Sequence, residues 1–301
     1  MTTRTGGQRG NAGPERWPSV VLFALGAALA LGAILGPLLV GAIEWRISTN
    51  SLNQTFGADG AALLLLAPTA VTAGWLAWRA RPLAAPLAFG LGLAALYYGI
   101  ASVLGADHAR YAGNNERFFL LYLAIIVLAW IAAAAWGWSA MGDTAPHPGR
   151  PLARSAGLLF VAGGLAISAA WIVQLAAITV DGALTQPADA LAYAESPTAF
   201  WLVRIVDLGF IVPLAIWSGI GLWRGWSSAA KAATGVAAFL TLQAAAVLAM
   251  GVVMLLRGDP TATPVLVAIL APITIGIAVV TVRLLTSFAD QAAAPGRSAV
   301  A

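Results

Sequence analysis

Two charged residues interrupt an otherwise apolar stretch of the sequence, WLVRIVDLGFIVPLAIW at residues 201–217. Arg204 and Asp207 are three residues apart, so in a helix they are neighbours on one face. A charge at the centre of a membrane helix costs about 2.5–3.5 kcal/mol, and such residues face a protein interior. Two interpretations stay open: an ion pair that fixes this helix, or part of a ligand-binding site.

Polar residues in other apolar stretches accompany this pair in the outer half of the membrane, in the topology given below. Together with Arg204 and Asp207, the candidate binding residues are Asp59, Tyr97, Tyr98, Asn115, Tyr122, Gln174 and Gln243. The inner halves of the stretches contain mainly Ala, Leu, Val, Gly and Trp. Taken singly, each residue is better explained by an interfacial aromatic belt or an ordinary interhelical hydrogen bond. Taken as a set, they predict an outward-facing polar pocket.

Helix termini give some of these residues a structural interpretation as well. Asp59 is expected to open the second apolar stretch, where a carboxylate caps free amides and complements the helix dipole. Asn114 or Asn115 is expected to cap the fourth. The segment before it also carries Asp107, His108 and Glu116. Their spacing matches no recognised ligand pattern, so neither a metal site nor a cofactor is predicted.

The composition places these residues in a membrane protein. The chain has 301 residues, of which 60% are hydrophobic and 9% charged, against roughly 25% charged in soluble proteins. The lipid bilayer is therefore the expected partner. The absence of cysteine excludes disulfides and thiolate chemistry. The net charge of +4 does not indicate nucleic-acid binding, because topology explains most basic residues.

Apolar stretches of about 20 residues, the length of a membrane-spanning helix, occur eight times. They cover approximately residues 18–44, 60–79, 83–105, 118–140, 155–180, 200–223, 232–256 and 264–287. The first is longer than the apolar core of a signal peptide, so it is expected to be a retained anchor. The predicted fold is an all-α, polytopic transmembrane bundle of about eight helices.

Basic residues orient this bundle. With a cytoplasmic N-terminus, 11 of the 16 Lys and Arg residues fall on the inner side, as the positive-inside rule requires. Both termini are therefore predicted to be cytoplasmic, with residues 1–16 and 289–301 as disordered tails. The excess of Arg over Lys and the abundance of Ala and Gly suggest a bacterial protein, hence a multi-pass protein of the plasma membrane.

Two segments of the sequence resemble each other at a constant offset of 145 residues. PTAVTAGWLAWR at 68–79 and PLAIWSGIGLWR at 213–224 share Pro, Ala, Gly, Trp and Arg at equivalent positions. Gly90 and Gly235 match at the same offset. The pattern predicts two parallel four-helix repeats, at 17–144 and 145–288, related by an axis along the membrane normal. Pro68 and Pro213 are expected to kink their helices as a pair.

Several of these motifs occur together in a known pattern. It comprises Gly57-Ala-Asp59, Pro68, Tyr97-Tyr98, Asn115 with Phe118-Phe119-Leu-Leu-Tyr122, and Asp207-Leu-Gly with Pro213. The chain resembles a family of uncharacterised bacterial eight-helix integral membrane proteins over about residues 57–225. It departs from that family at YYGIAS, where related sequences are richer in Tyr and Asn. Since the family has no established activity, the resemblance implies topology and pocket position, but no chemistry.

Three functions are compatible with these features. The first choice is a transporter or binding protein for a small polar or amphiphilic molecule. The second is a membrane enzyme acting at the outer face, for which the acid–base candidates are Asp59, His108, Glu116 and Asp207. The third is a non-catalytic assembly or sensory subunit. A cavity lined by Arg204 and Asp207 would favour the first two, and close packing without a cavity would favour the third.

Overall fold

The computed structural model describes residues 16–142, 147–184 and 186–292. These residues form nine α-helices, eight of which are long and apolar enough to cross a membrane. In chain order the helices are α1 (Trp17–Leu35), α2 (Thr49–Trp78), α3 (Ala84–Leu104), α4 (Asn115–Trp138), α5 (Arg150–Val180), the short α6 (Pro187–Glu195), α7 (Pro197–Arg224), α8 (Ser227–Leu256) and α9 (Pro264–Ala292). The prediction of an all-α, multi-pass bundle is confirmed.

The first helix is shorter than the apolar stretch that predicted it. α1 ends at Leu35, and residues 36–48 form an irregular segment instead of continuing a helix to residue 44. Gly36 takes an extended conformation, with ψ of −177°, because Pro37 disfavours a helical conformation in the residue before it. Pro37 also has no amide hydrogen to continue the helix.

The second helix, by contrast, starts well before its apolar part. α2 begins at Thr49, and its N-terminal turn is capped by Ser48, whose hydroxyl oxygen accepts a hydrogen bond from the Ser51 amide at 3.1 Å. Asp59 lies ten residues further along, about 15 Å into the helix. The prediction that Asp59 opens and caps this helix is therefore wrong.

The expected tails fall mostly outside the described residues, which begin at 16 and end at 292. The exception is 289–292: α9 continues through Ala292, so the expectation of disorder from 289 is wrong there. The predicted boundary between the repeats, at 144/145, also lies outside the described residues.

Packing divides the spanning helices into two groups, which α3 and α8 join. In the first group, α1 packs against α2 and α4, and α3 packs against α2 and α4. In the second group, α5 packs against α7 and, over fewer residues, α9, while α8 packs against α7 and α9. The groups meet where α8 lies against α2 and α3, and where α3 lies against the first part of α7.

The backbone itself shows the 145-residue offset. α2 contains a π-helical turn at Ala62–Leu66, and α7 contains one at Asp207–Ile211. Each turn is followed by a proline, Pro68 or Pro213. A proline cannot donate the regular i→i−4 hydrogen bond and its ring crowds that carbonyl, so a wider turn accommodates it.

The joining contact shows the same offset. α3 and α8 cross at Gly90 and Gly235, where a Cβ on Gly90 would overlap the carbonyl oxygen of Gly235. Small residues at such crossings let two membrane helices approach closely. When two repeats are related by a two-fold axis, equivalent residues of the two repeats contact each other at that axis. The crossing and this pair of π turns favour the predicted duplication, with α3 and α8 at its centre. The other π-helical segments, Ile131–Trp138 in α4 and Ala177–Asp181 in α5, have no counterpart at the same offset within the described residues.

Replacement of Gly90 tests this crossing. We expect Gly90→Ala to cost about 1–3 kcal/mol of stability, because the methyl group has no room beside the α8 backbone. The midpoint of thermal unfolding in lipid nanodiscs measures the loss. Gly163→Ala is the control, since a Cβ on that α5 glycine meets no atom within 4 Å. Equal midpoints for the two variants would contradict the close crossing.

Candidate functional site

Arg204 is held by uncharged groups. Its Nη2 donates to Gln174 Oε1 at 2.5 Å, and its Nη1 donates to the Phe200 carbonyl at 3.2 Å. The guanidinium carbon lies 3.5 Å from the ring centre of Phe200 and 4.3 Å from that of Trp171. Its buried Nε has no hydrogen-bond partner among the described residues. The ion pair with Asp207, one of the two interpretations of the sequence, is not formed.

Asp207 likewise receives hydrogen bonds from neutral donors. Tyr97 donates its hydroxyl hydrogen to Oδ1 at 3.3 Å, and Trp171 donates its indole N–H to Oδ2 at 2.8 Å. Gln174 links the site to the short helix α6, because its amide donates to Asp189 Oδ2 at 3.0 Å. We call Tyr97, Trp171, Gln174, Arg204 and Asp207 the Asp207 cluster; it brings together α3, α5 and α7.

A second carboxylate lies on α2, deeper in the protein. Asp59 is 1% exposed, and its Oδ1 accepts a hydrogen bond from the Tyr98 hydroxyl at 2.8 Å. Its Oδ2 and the hydroxyl of buried Tyr122 have no hydrogen-bond partner within the described part of the chain. The rings of Tyr98 and Tyr122 are 6.3 Å apart. We call Asp59, Tyr98 and Tyr122 the Asp59 cluster.

The two clusters are joined by consecutive residues of α3. Successive side chains point about 100° apart around a helix, so Tyr97 reaches α7 while Tyr98 reaches α2. α3 therefore supplies one tyrosine to Asp59, in the first predicted repeat, and one to Asp207, in the second. Seven of the nine candidate residues fall in these two clusters.

The remaining two candidates lie elsewhere. Asn115 Oδ1 accepts from the Arg46 amide at 3.4 Å, and Asn114 Oδ1 accepts from the Glu44 amide at 2.9 Å. Since neither side chain caps α4, which opens with a 3₁₀ turn, that prediction is wrong. Gln243 is half-buried on α8, and no hydrogen bond of the described residues joins it to either cluster.

The connections at one end of the bundle are bonded to each other. The Asp107 amide donates to the Arg46 carbonyl at 2.9 Å, and Arg46 Nε lies 2.7 Å from Glu116 Oε1. Tyr111 donates its hydroxyl hydrogen to the Glu195 carbonyl at 2.7 Å. The α1–α2, α3–α4 and α5–α7 connections thus form one layer.

The fourth connection joins the same layer through the start of α2. The hydroxyls of Ser48 and Ser196 lie 2.9 Å apart and share a hydrogen bond. The amides of Asn50 and Asn53 donate to Asp259, between α8 and α9, at 3.1 and 2.8 Å. We call the segments 36–48, 105–118, 182–184, 186–196 and 257–263 the loop cap. It covers the membrane face from which α2 and α7 begin.

Two clefts lie away from both clusters. A cleft of about 740 Å³ separates α5 from α9 near the chain termini and is lined by Pro151, Leu152, Ser155, Arg283, Thr286, Ser287, Asp290 and Gln291. An apolar groove of about 540 Å³ lies between α1 and α2. Neither is lined by a candidate residue, so the open pocket that the sequence predicts is not seen at these clefts.

The sequence did not predict two features of this site, the role of Trp171 and the polar start of α2. Trp171 reads as one more apolar residue of a spanning helix, although its indole N–H supports Asp207. Asn50 and Asn53 are three residues apart before the apolar part of α2, a spacing that would place both amides on one face if the helix began earlier. Their partners across the loop cap come from distant sequence and carry no local signal.

The acid–base candidates do not assemble. His108 Nδ1 lies 3.4 Å from Glu116 Oε1, within the loop cap. Asp59 and Asp207 are bonded to different tyrosines of α3. No hydrogen bond or ion pair of the described residues joins His108 or Glu116 to either carboxylate.

The fold and the clusters define a multi-pass integral membrane protein with two intramembrane carboxylates. Comparison with protein-family models, with curated proteins and with solved structures finds no match for the chain. The geometry of the two clusters is therefore the basis for the function proposed below.

Asp259 makes the loop cap sensitive to acid. Burial raises its pKa, but hydrogen bonds from Asn53, Thr261 and Asn50 outweigh burial and hold the pKa below its ordinary value. A lowered folded-state pKa stabilises the protein above the unfolded-state value, and this stabilisation disappears as the pH falls through the folded-state pKa. We expect the contribution to be present at neutral pH and lost below about pH 4.

Asp259→Asn should cost about 1–3 kcal/mol at neutral pH and flatten the fall in stability on acidification. Thermal unfolding midpoints from pH 7 down to about pH 3 measure both effects. Glu44→Gln removes an exposed carboxylate from the same cap and is the control. An acid-induced fall as steep in Asp259→Asn as in wild type would contradict this role.

Proposed function

We propose that the protein binds a small polar or amphiphilic molecule at the Asp207 cluster and moves it across the membrane. The observation that carries this proposal is a guanidinium and a carboxylate on successive turns of α7 that are not paired with each other. Buried charges normally pair, and a pair broken inside a membrane is costly. Both charges stay available for a ligand.

The chemistry of the cluster narrows the ligand. Arg204 complements a carboxylate or phosphate, Asp207 complements an ammonium or hydroxyl donor, and the rings of Trp171 and Phe200 offer apolar surface. Both charged residues are half-buried, whereas Asp59 is fully buried. A molecule that carries both a donor and an acceptor group around a small apolar part fits this cluster best.

Transport rather than simple binding is supported by the repeated architecture. The π turns of α2 and α7 sit beside the Asp59 and Asp207 clusters, and each is followed by a proline. Transporters built from repeats change access by rocking one repeat against the other around a midplane site.

The location proposed for this activity is the bacterial plasma membrane. The basic-residue bias of the sequence supports a cytoplasmic side that carries both termini. The loop cap then faces outward, and the Asp207 cluster lies in the outer half of the membrane.

A non-catalytic membrane subunit is the second candidate. It is favoured by the hydrogen bonds that close the loop cap and by the position of both clefts away from the clusters. In that case the Asp207 cluster would hold α3, α5 and α7 together without a ligand.

A ligand screen distinguishes these functions. Purified protein in nanodiscs is tested against a panel of amino acids, amines, organic acids and short amphiphiles by thermal unfolding, beside Asp207→Asn and Arg204→Gln. A ligand at about 100 times its Kd should add about 2.7 kcal/mol to wild type. We expect either substitution to remove that gain while the protein stays folded.

Glu44→Gln and Arg117→Gln are the matched controls, since both side chains are exposed charges of the loop cap. They should keep the full ligand response. If no compound stabilises wild type and the two α7 variants only melt earlier, the binding proposal fails and the subunit function replaces it. A bound ligand that does not accumulate in proteoliposomes would leave a binding protein without transport.

A further inference from the structure

The two intramembrane carboxylates differ in how well they are satisfied. Asp207 receives a hydrogen bond on each oxygen. Asp59 is 1% exposed and receives one hydrogen bond, on Oδ1, while Oδ2 has no partner within the described residues. An ionised carboxylate in such a place lacks the compensation that buried charge requires.

The end of α1 makes ionisation of Asp59 still less favourable. Gly36, the residue that follows α1, lies so close to Oδ2 that a Cβ at this position would overlap the oxygen. The C-terminus of a helix carries a partial negative charge equivalent to roughly half an elementary charge. Two negative groups therefore converge on a site from which water is excluded.

No positive side chain balances these negative groups. Around Asp59, α3 offers Tyr98 and α4 offers Tyr122, both neutral hydroxyls. Gly32 of α1 and Gly36, which follows α1, have no side chains to offer. The nearest part of α8 is the backbone of Met250, which packs against Gly57 of α2. Arg46 and His108 lie against Glu116 in the loop cap rather than against Asp59.

We propose that Asp59 is a proton-binding site, with the proton carried on Oδ2 at neutral pH. A protonated carboxyl group is neutral, so the helix end no longer opposes it. Its Oδ1 still accepts from Tyr98, so protonation on Oδ2 leaves the hydrogen bond of the site intact. The site takes a proton rather than an alkali cation, because a proton needs no shell of oxygen ligands beside the Gly36 backbone.

The glycines of α1 fit this assignment. Gly36 is required by the contact with Oδ2, and one turn earlier Gly32 faces the Tyr122 hydroxyl, 3.8 Å from the position a Cβ would take. Neither glycine places a side chain beside the carboxyl group or the hydroxyl. The proton site adds a second bound species to the proposed function. It does not depend on that function, so either can fail alone.

Infrared spectroscopy of the protein in lipid at neutral pH tests the proposal directly. A protonated carboxylic acid has a carbonyl-stretch band separate from the carboxylate bands, and this band shifts in heavy water. We expect the band in wild type, its loss in Asp59→Asn and its retention in Asp207→Asn. Tyr98→Phe should shift its frequency, because Oδ1 then loses its hydrogen-bond donor.

Several results would overturn the assignment. They are a band that Asp59→Asn leaves unchanged, a band seen only in acid, or a band that sodium ions abolish at constant pH, which would identify an alkali-cation site. Asn is a neutral isostere of the protonated acid, so the variant should fold. If Asp59→Asn does not fold, the frequency shift of the carbonyl band in Tyr98→Phe tests the assignment by itself. None of these readouts involves the ligand of the Asp207 cluster.

Discussion

The cost of placing carboxylates in a medium without water governs this structure. Each costs about 2.5–3.5 kcal/mol in a membrane helix unless neighbours compensate it, and α3 supplies part of the compensation for both. Tyr97 and Tyr98 turn in different directions because they are consecutive in a helix, and each reaches one carboxylate. Asp207 gains a second donor from Trp171. Asp59 gains none, and the proton site follows from that difference.

The same helix also joins the two groups of helices. The close crossing of Gly90 and Gly235 fixes α3 against α8, so the tyrosines are placed by backbone packing rather than by their own side chains. The π turns at Ala62–Leu66 and Asp207–Ile211 lie next to the clusters. Widened turns and matched prolines are places where a helix can bend. Each intramembrane carboxylate therefore has a widened turn of its own helix beside it.

The sequence predicted the helical class, eight spanning segments and seven of the residues that meet in the two clusters, because hydropathy and buried charge are local signals. It missed the start of α2, because Asn50 and Asn53 precede the apolar stretch that marks this helix and their partner Asp259 comes from distant sequence. It also allowed an Arg204–Asp207 ion pair from spacing alone. Gln174 and Trp171, about 30 residues away on α5, take those contacts instead, and pairing between helices is not visible in one sequence.

Hydrogen bonds join the connections of the loop cap into one layer over the carboxylates. The chain contains no cysteine, so a Ser48→Cys/Ser196→Cys double variant gives an unambiguous cross-link where the two hydroxyls lie 2.9 Å apart. The measurement compares the rate of amide hydrogen exchange in Thr49–Ala61 between the oxidised and the reduced forms of this variant. We expect the two cysteines to form a disulfide readily. Amide exchange in this segment should be slower in the disulfide form and return to its original rate when the disulfide is reduced. No cross-link, or a cross-link that leaves exchange unchanged, would contradict the joining of the connections into one layer.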